Sequence, residues 1–397
     1  MNKKSLDLAN LKIIFAFIIA VLLVNPVAVY SADKNEKAIK EIDQQIEKGV
    51  KYLMTRANKD GSIGNPKQPN PGITGLIVAA VAKTSLKGKY KKDLISAADF
   101  ILKTKNPKDH SYGKNFIQFS NYFTSVALLA FTSLDKEKYK EEIKNTQNYL
   151  KGAQFSKENG NYKKGDWQYG GFDYNKEGKA DPDLNNTGFA LMALKASDLK
   201  KDDKAWKNAV VFLQRVQNSP EVSDLDKSIK GTKVLNDGGA MYYPGNTKGK
   251  EIKNSDGTTS YPSYGSMTYT LMQSYLFAGI PKDDIRVKET MRYVKNNFSL
   301  VTNPGLPAKQ AKQGLYNYYR IMAEALNTLG ETKIETNKGR RIIWAKELGE
   351  HLGKLQLPNG SWVNKESERW LEGDPDLVTA YALFALVACK SNLSAKN

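Results

Sequence analysis

The sequence predicts an all-α fold in which six helix pairs close into an (α/α)6 toroid. Three observations lead there. From about residue 36 onward, a charged amphipathic helix, a Gly/Asn/aromatic loop and a more apolar helix recur in that order. The apolar helices are apolar on every face, as buried helices are, whereas those with Lys/Glu faces suit solvent. The composition, 40% apolar and 26% charged with 14 Pro in 397 residues, is that of a packed core. Six buried helices alternating with six solvated ones require two concentric rings, with an open solenoid of the same pairs as the competing arrangement.

The first pair reads as a charged helix over 36–57, ending on Tyr52-Leu53, and an apolar one over 72–84 carrying TGLIVAAV from Thr74. The second reads 92–104, ending on Phe100-Ile101, then 119–133 with TSVALLAF from Thr124. The third reads 136–152 with Tyr149-Leu150, then 184–197 with TGFALMAL from Thr187. The fourth is 203–217 with Phe212-Leu213, then 264–279 with TYTLMQSY from Thr268. The fifth is 282–298 with Tyr293-Val294, then 313–330 with YRIMAEAL from Tyr319. The last is 338–355 with His351-Leu352, then 377–391 with TAYALFAL from Thr379. The aligned starts lie 50, 63, 81, 51 and 60 residues apart, so a unit of about 50 residues carries loop insertions of different length.

Ahead of the repeats, Lys3, Lys4 and Lys12 precede the unbroken apolar run Ile13 to Val24, and Pro26, Ala28, Ser31 and Ala32 follow. This reads as a secretory signal peptide over 1–32, with a single domain over 33–397. Twelve helical residues span only about 18 Å, short of a ~30 Å hydrocarbon core, so an uncleaved anchor is the lesser reading. The expected location is periplasmic or extracellular. With one cysteine, Cys389, no internal disulfide forms, and with two histidines, His110 and His351, a Cys/His-rich zinc site is excluded.

Several charged helices run on into Gln, Gly and an aromatic: Gln154 to Gly165-Asp166-Trp167, Gln217 to Gly238-Gly239, and Gln356 to Trp362 (QLPNGSW). Glycine supplies the turn, and Gln with Trp ties it to the helix end. These residues resemble the QW repeats of squalene–hopene and oxidosqualene cyclases, and the ring resembles the fold shared with protein prenyltransferase β subunits. The resemblance covers roughly 45–390. It is strongest in WQYGGFDY with DPDLNNTGFALMAL (167–194), SYGSMTYTLMQSYLFAG (263–279), and QLPNGSW with DPDLVTAYALFAL (356–386). It implies a terpenoid-cyclase-like toroid that binds or cyclises an isoprenoid or other hydrophobic ligand. The two-domain cyclases would be matched by only one of their domains.

In such a ring the loops entering the inner helices converge on one mouth. The candidate ligand-binding aromatics there are Trp167, Tyr169, Tyr243, Tyr264, Tyr316, Tyr318, Trp362 and Trp370, with Phe172 and Tyr242 beside them. Aromatic faces stabilise a carbocation, and the bland alternative is that they pack loops on helix ends. The resemblance further implies an acid motif, DxDDT, whose middle Asp protonates an alkene. Here the segment is Asp183-Leu184-Asn185-Asn186-Thr187, and an amide cannot deliver that proton. Asp183 and Asn185 then read as helix caps, as does Asp376. The tentative catalytic residues are Asp374, with Glu372 as the neighbour that raises its pKa, and Asp183.

No Asp-x-Cys zinc pattern occurs, and Asp283-Asp284 with Glu289, like Asp202-Asp203, reads as helix-start acids rather than a magnesium motif. No phosphate-binding glycine loop and no nucleophile elbow is found. No metal or cofactor is expected. The net charge of +18 falls mostly on outer helices, for example Lys136, Lys138, Lys140 and Lys144. It reads as a solvated face, with peripheral contact to an anionic membrane or envelope polymer as the functional alternative. Aromatics are not interleaved with these lysines as a nucleic-acid groove requires. The expected partner is a hydrophobic small molecule or lipid. The expected activity is that of a squalene-cyclase-like isomerase with a non-standard acid, or a binding protein that has lost turnover. A polysaccharide-active toroid of the cell envelope is the alternative, and a non-catalytic scaffold the third.

Overall fold

The computed structural model describes residues 26–176 and 181–395, with side chains from residue 35 onward. The apolar run of the expected signal peptide lies outside the described residues. Twelve long helices are present among them. In chain order they are α1 (Pro26–Met54), α2 (Pro71–Ala82), α3 (Lys91–Lys103), α4 (Ser120–Leu134), α5 (Lys140–Ala153) and α6 (Leu184–Ala196). Then follow α7 (Lys204–Arg215), α8 (Gly265–Phe277), α9 (Ile285–Asn297), α10 (Leu315–Leu329), α11 (Trp344–Leu355) and α12 (Pro375–Ser394).

The even-numbered helices form the inner ring. Each packs on the next, and α12 packs on both α10 and α2, so the ring is closed. The odd-numbered helices lie outside it, each against its own pair's inner helix or a neighbour's. The fold is the all-α toroid that the repeats predict. Although α12 is long and apolar enough to cross a membrane, most of it is buried within the ring.

One side chain in each repeat explains the aligned starts. The hydroxyls of Thr74, Thr124, Thr187, Thr268 and Thr379 accept the backbone N–H of Ile63, Tyr112, Phe172, Ala240 and Trp362, at 2.9–3.2 Å. Each bond fastens the preceding loop to the inner helix. These N–H groups are buried, so losing the partner would leave a desolvated donor. The fifth repeat has Tyr319 at this position, and its hydroxyl pairs instead with His351 Nε2 at 3.0 Å.

The glutamines act between repeats. Gln154 donates to Gly170 O and to Ala205 O of α7, and Gln217 to Gly238 O and Arg286 O of α9. Gln356 donates to Gly360 O and to Gln45 O of α1, which joins the last repeat to the first. Tyr52 of α1 and Arg56 of the turn that follows it also reach Asp376 of α12, at 2.9 and 3.1 Å.

The element boundaries differ from the sequence reading in one place that matters. The last outer helix begins at Trp344 rather than 338, because β3 (Ile334–Glu335) and β4 (Arg341–Ile342) form a ribbon turning at Gly339. A second ribbon, β1 (Ile252–Lys253) with β2 (Thr259–Ser260), lies in the long insertion before α8.

Candidate functional site

All six inner helices point their N-termini at one end of the ring, and there a cavity of about 440 Å³ opens. Residues from the first turns of every inner helix line it, from Asn70 and Ile73 at α2 to Leu377 and Tyr381 at α12. The wall is mainly aromatic. Phe116, Phe119, Tyr122 and Phe123 come from the second repeat, Tyr174 and Phe189 from the third, and Tyr242 and Tyr264 from the insertion before α8 and its cap. Lys248 and Glu372 are the charged residues in the lining.

Glu372 is 1% exposed, and it takes the place of a missing cap. Gly314 precedes α10 in the left-handed region at φ 62 and offers no side chain to the helix start. The Glu372 carboxylate accepts the N–H of Asn317 at 2.8 Å and the Asn364 amide at 2.7 Å. Burial pushes its pKa up to about 7, against the pull of those donors and of the Leu315 and Tyr316 N–H groups. Gly314 must be glycine for a second reason. A Cβ there would meet the Trp370 ring at 2.7 Å, so the indole packs directly against the helix start at the cavity rim.

Trp370 and Leu371 both adopt left-handed backbone, at φ 57 and 64, and are 44% and 60% exposed. Two consecutive non-glycine residues there are strained. The strain turns Glu372 inward while its two apolar neighbours stand at the mouth.

The floor was not foreseen from sequence. Arg320 of α10 is 3% exposed, bonded to Asn317 Oδ1 at 3.1 Å and to Glu324 at 3.1 Å. Its guanidinium lies 4.7 Å from the Phe189 ring centroid and 5.5 Å from that of Tyr381. It separates the mouth from a second cavity of about 310 Å³ at the opposite end, lined in part by Lys83 and Glu324. The available signal was an Arg and a Glu four apart inside an otherwise apolar inner helix.

The three acids singled out from sequence are placed differently. Glu372 faces the cavity. Asp374 does not line it: its side chain caps α12, accepting Asp376 N–H at 2.8 Å. The acidic neighbour that helps raise its pKa, after burial, is Asp376 rather than Glu372. Asp376, read as a cap, is instead the partner of Tyr52 and Arg56. Asp183 caps α6, as the sequence suggested, bonded to the Asn186 N–H at 2.8 Å and its amide at 2.7 Å. It is fully buried behind Tyr242, which hydrogen-bonds it, and burial lifts its pKa to about 6. Asn185 lines the cavity.

Of the eight aromatics, Tyr264 and Trp370 line the cavity. Trp362 is buried in its loop and donates to Leu352 O at 2.8 Å. Tyr318 donates to Ser299 O at 2.8 Å, and Tyr316 packs edge-on to Tyr319 at 5.6 Å. Trp167 stacks on Tyr243 at 5.8 Å, and Tyr169 donates to Asn208 of α7 at 2.8 Å. These six brace loops and helix ends. The acids expected at helix starts behave as such, Asp203 capping α7 and Asp284 capping α9. Among the described residues no cluster of three or more His, Cys, Asp or Glu could hold a metal ion.

The family model of the squalene-hopene cyclase C-terminal domain matches residues 66–233. No curated protein matches the chain. Among solved structures, the chain resembles the type II terpene cyclase MstE from Scytonema, at 12% identity and TM-score 0.53, over 89% of this chain and 99% of that one. It resembles equally the GH76A α-1,6-mannanase from Salegentibacter sp. HEL1_6, at 12% identity and TM-score 0.54, over 90% and 100%. A further MstE structure holds geranylgeranyl dihydroxybenzoate as substrate, at TM-score 0.51 and 12% identity over 90% and 99%. In fold the chain is an α/α toroid, part of which matches the squalene-hopene cyclase model, and identities this low carry architecture alone.

Proposed function

We propose that the mouth cavity binds an isoprenoid or comparable hydrocarbon chain, and that Glu372 is the proton donor of a cyclase-like isomerisation. The observation that carries this reading is a single buried carboxyl group, with a pKa near 7, in a wall of aromatic rings. Burial keeps the proton on about half of the Glu372 carboxyl groups at neutral pH, and on most of them below it. When the proton passes to a ligand alkene, the carboxylate left behind meets the Asn317 N–H and the Asn364 amide, already aimed at it. The start of α10 thus stabilises the base form as it appears. The alkene carbon that loses its π electrons becomes a cation, and the faces of Phe119, Phe123 and Phe189 are suited to stabilise it. The reaction ends when a carbon next to the final cation returns a proton to the carboxylate.

The mannanase likeness favours a second reading, a toroid acting on envelope polysaccharide. Glycosidases use two carboxyl groups across the scissile bond. Among the described residues lining this cavity there is one, so we place the lipid reading first. The N-terminal segment supports export, with cell fractionation as the check. Purified protein extracted for bound lipid, then incubated with squalene, polyprenyl diphosphates and α-1,6-mannan, tests both readings by mass spectrometry and a reducing-end assay. Lipid bound or converted supports the first. Mannan cleavage with no lipid bound or converted overturns it. Should turnover be found, Glu372→Gln is expected to lower it at least ~10²-fold, the lower end for loss of a general acid.

A further inference from the structure

We infer that the ligand is not a plain hydrocarbon but an amphiphile whose anionic head sits at Lys248 and Arg369. The inference rests on the reading of the cavity as a site for a hydrocarbon chain. Lys248 is the cation of the cavity wall. It is half-buried, its ammonium lies 4.2 Å from the Tyr242 ring centroid, and no carboxylate stands within ion-pair distance among the described residues. Its backbone is held in place. The Thr247 hydroxyl donates to Pro262 O at 2.7 Å and accepts the Gly249 N–H at 3.0 Å.

Arg369, on the strained turn over the mouth, is likewise without a carboxylate partner, and its guanidinium stands 5.9 Å from the Trp370 ring centroid. Trp370 lines the same cavity as Lys248, and the positive charge of Arg369 beside it disfavours the charge on Lys248. Burial acts in the same direction more strongly, and Asp183 acts against both. Asp183 is itself committed to the cap of α6, and burial favours the neutral form of Glu372, whose carboxylate is in any case held by the Asn317 N–H and the Asn364 amide.

Two unpaired cations at the rim of an aromatic cavity are an unfavourable arrangement until an anion enters between them. They also orient the ligand. A developing carbocation is repelled by Lys248 and attracted to the Phe119, Phe123 and Phe189 faces, so the head lies by Lys248 and the chain runs to the phenylalanine wall. A carboxylate and a phosphate share the required chemistry.

The test is tryptophan-fluorescence titration of the purified protein with three probes of one chain length: geranylgeraniol, geranylgeranoic acid and geranylgeranyl phosphate. At low ionic strength at least one anion should bind about tenfold or more tighter than the alcohol, and salt should narrow the gap. Comparison of the acid with the phosphate identifies the head. Lys248→Met combined with Arg369→Gln should bring the tighter anion to within about twofold of the alcohol, while Lys248→Arg should retain the preference. Alcohol binding as tight as both anions in the wild-type protein overturns the inference and leaves the hydrocarbon reading standing. A preference that survives the double substitution also overturns it. No binding of any probe removes both.

Discussion

The protonation of Glu372 can be read directly from stability. Its carboxyl titrates at about 7 in the folded chain against an ordinary value of 4.5. Between those pH values the unfolded chain has lost a proton that the folded chain keeps, so stability falls as pH rises through that window. Below 4.5 both states are protonated and the full stability is present; above 7 the folded chain bears a buried charge. The difference amounts to about 3 kcal/mol.

Glu372→Gln removes this titration at a cost that pH does not change. The Gln Oε1 can still accept the Asn317 N–H, but its Nε2 faces the Asn364 amide nitrogen. Asn364 cannot turn its oxygen over, because that atom already accepts the Glu366 and Ser367 N–H groups at 3.1 and 3.2 Å. The apposed donors cost ~1–3 kcal/mol. The wild-type protein should therefore be the more stable by that amount near pH 4.5, and equal to the variant or less stable by up to ~2 kcal/mol near pH 8. Urea denaturation followed by far-ultraviolet circular dichroism, from pH 4.5 to 9, measures both. Other titrating groups are shared and cancel in the difference. A difference constant across that range would refute the raised pKa, and with it the proton donor.

Thr379→Val should lose ~1–3 kcal/mol by leaving the buried Trp362 N–H unpaired at nearly constant volume, as measured by urea denaturation. Gln356→Ala removes the bond to Gln45 O that ties the last repeat to the first, together with the loop bond to Gly360 O; hydrogen exchange in α1 should quicken more than in α7, which Gln154 holds in the same way. Asp183→Ala should cost ~1–2 kcal/mol as a lost N-cap in thermal melts, while Asp183→Asn retains the cap and most of that stability.

The periodicity of apolar and charged residues was enough to predict twelve helices, their pairing and the closed ring. These are local patterns, and a helix apolar on every face has only one place to go. The aligned Thr residues were visible as letters, and their task of holding a loop N–H became visible only when each loop was placed beside its helix. The phrase DPDL occurs at 181–184 and again at 374–377 and ends differently each time. Asp183 caps α6, whereas in the second copy the cap moves to Asp374. There, with one residue fewer before the anchoring Thr, Asp376 is drawn to Tyr52 and Arg56.

The site was less legible. Phe119, Phe189, Lys248, Arg320 and Glu372 come from five repeats, and no spacing along the chain states that they share one cavity or its floor. Nor does a sequence carry desolvation. Glu372 and Asp374 are two residues apart and chemically alike. Only the turn at Trp370 and Leu371, which points one carboxyl group into the aromatic cavity and leaves the other on a helix end, makes the first the proposed proton donor and the second a cap.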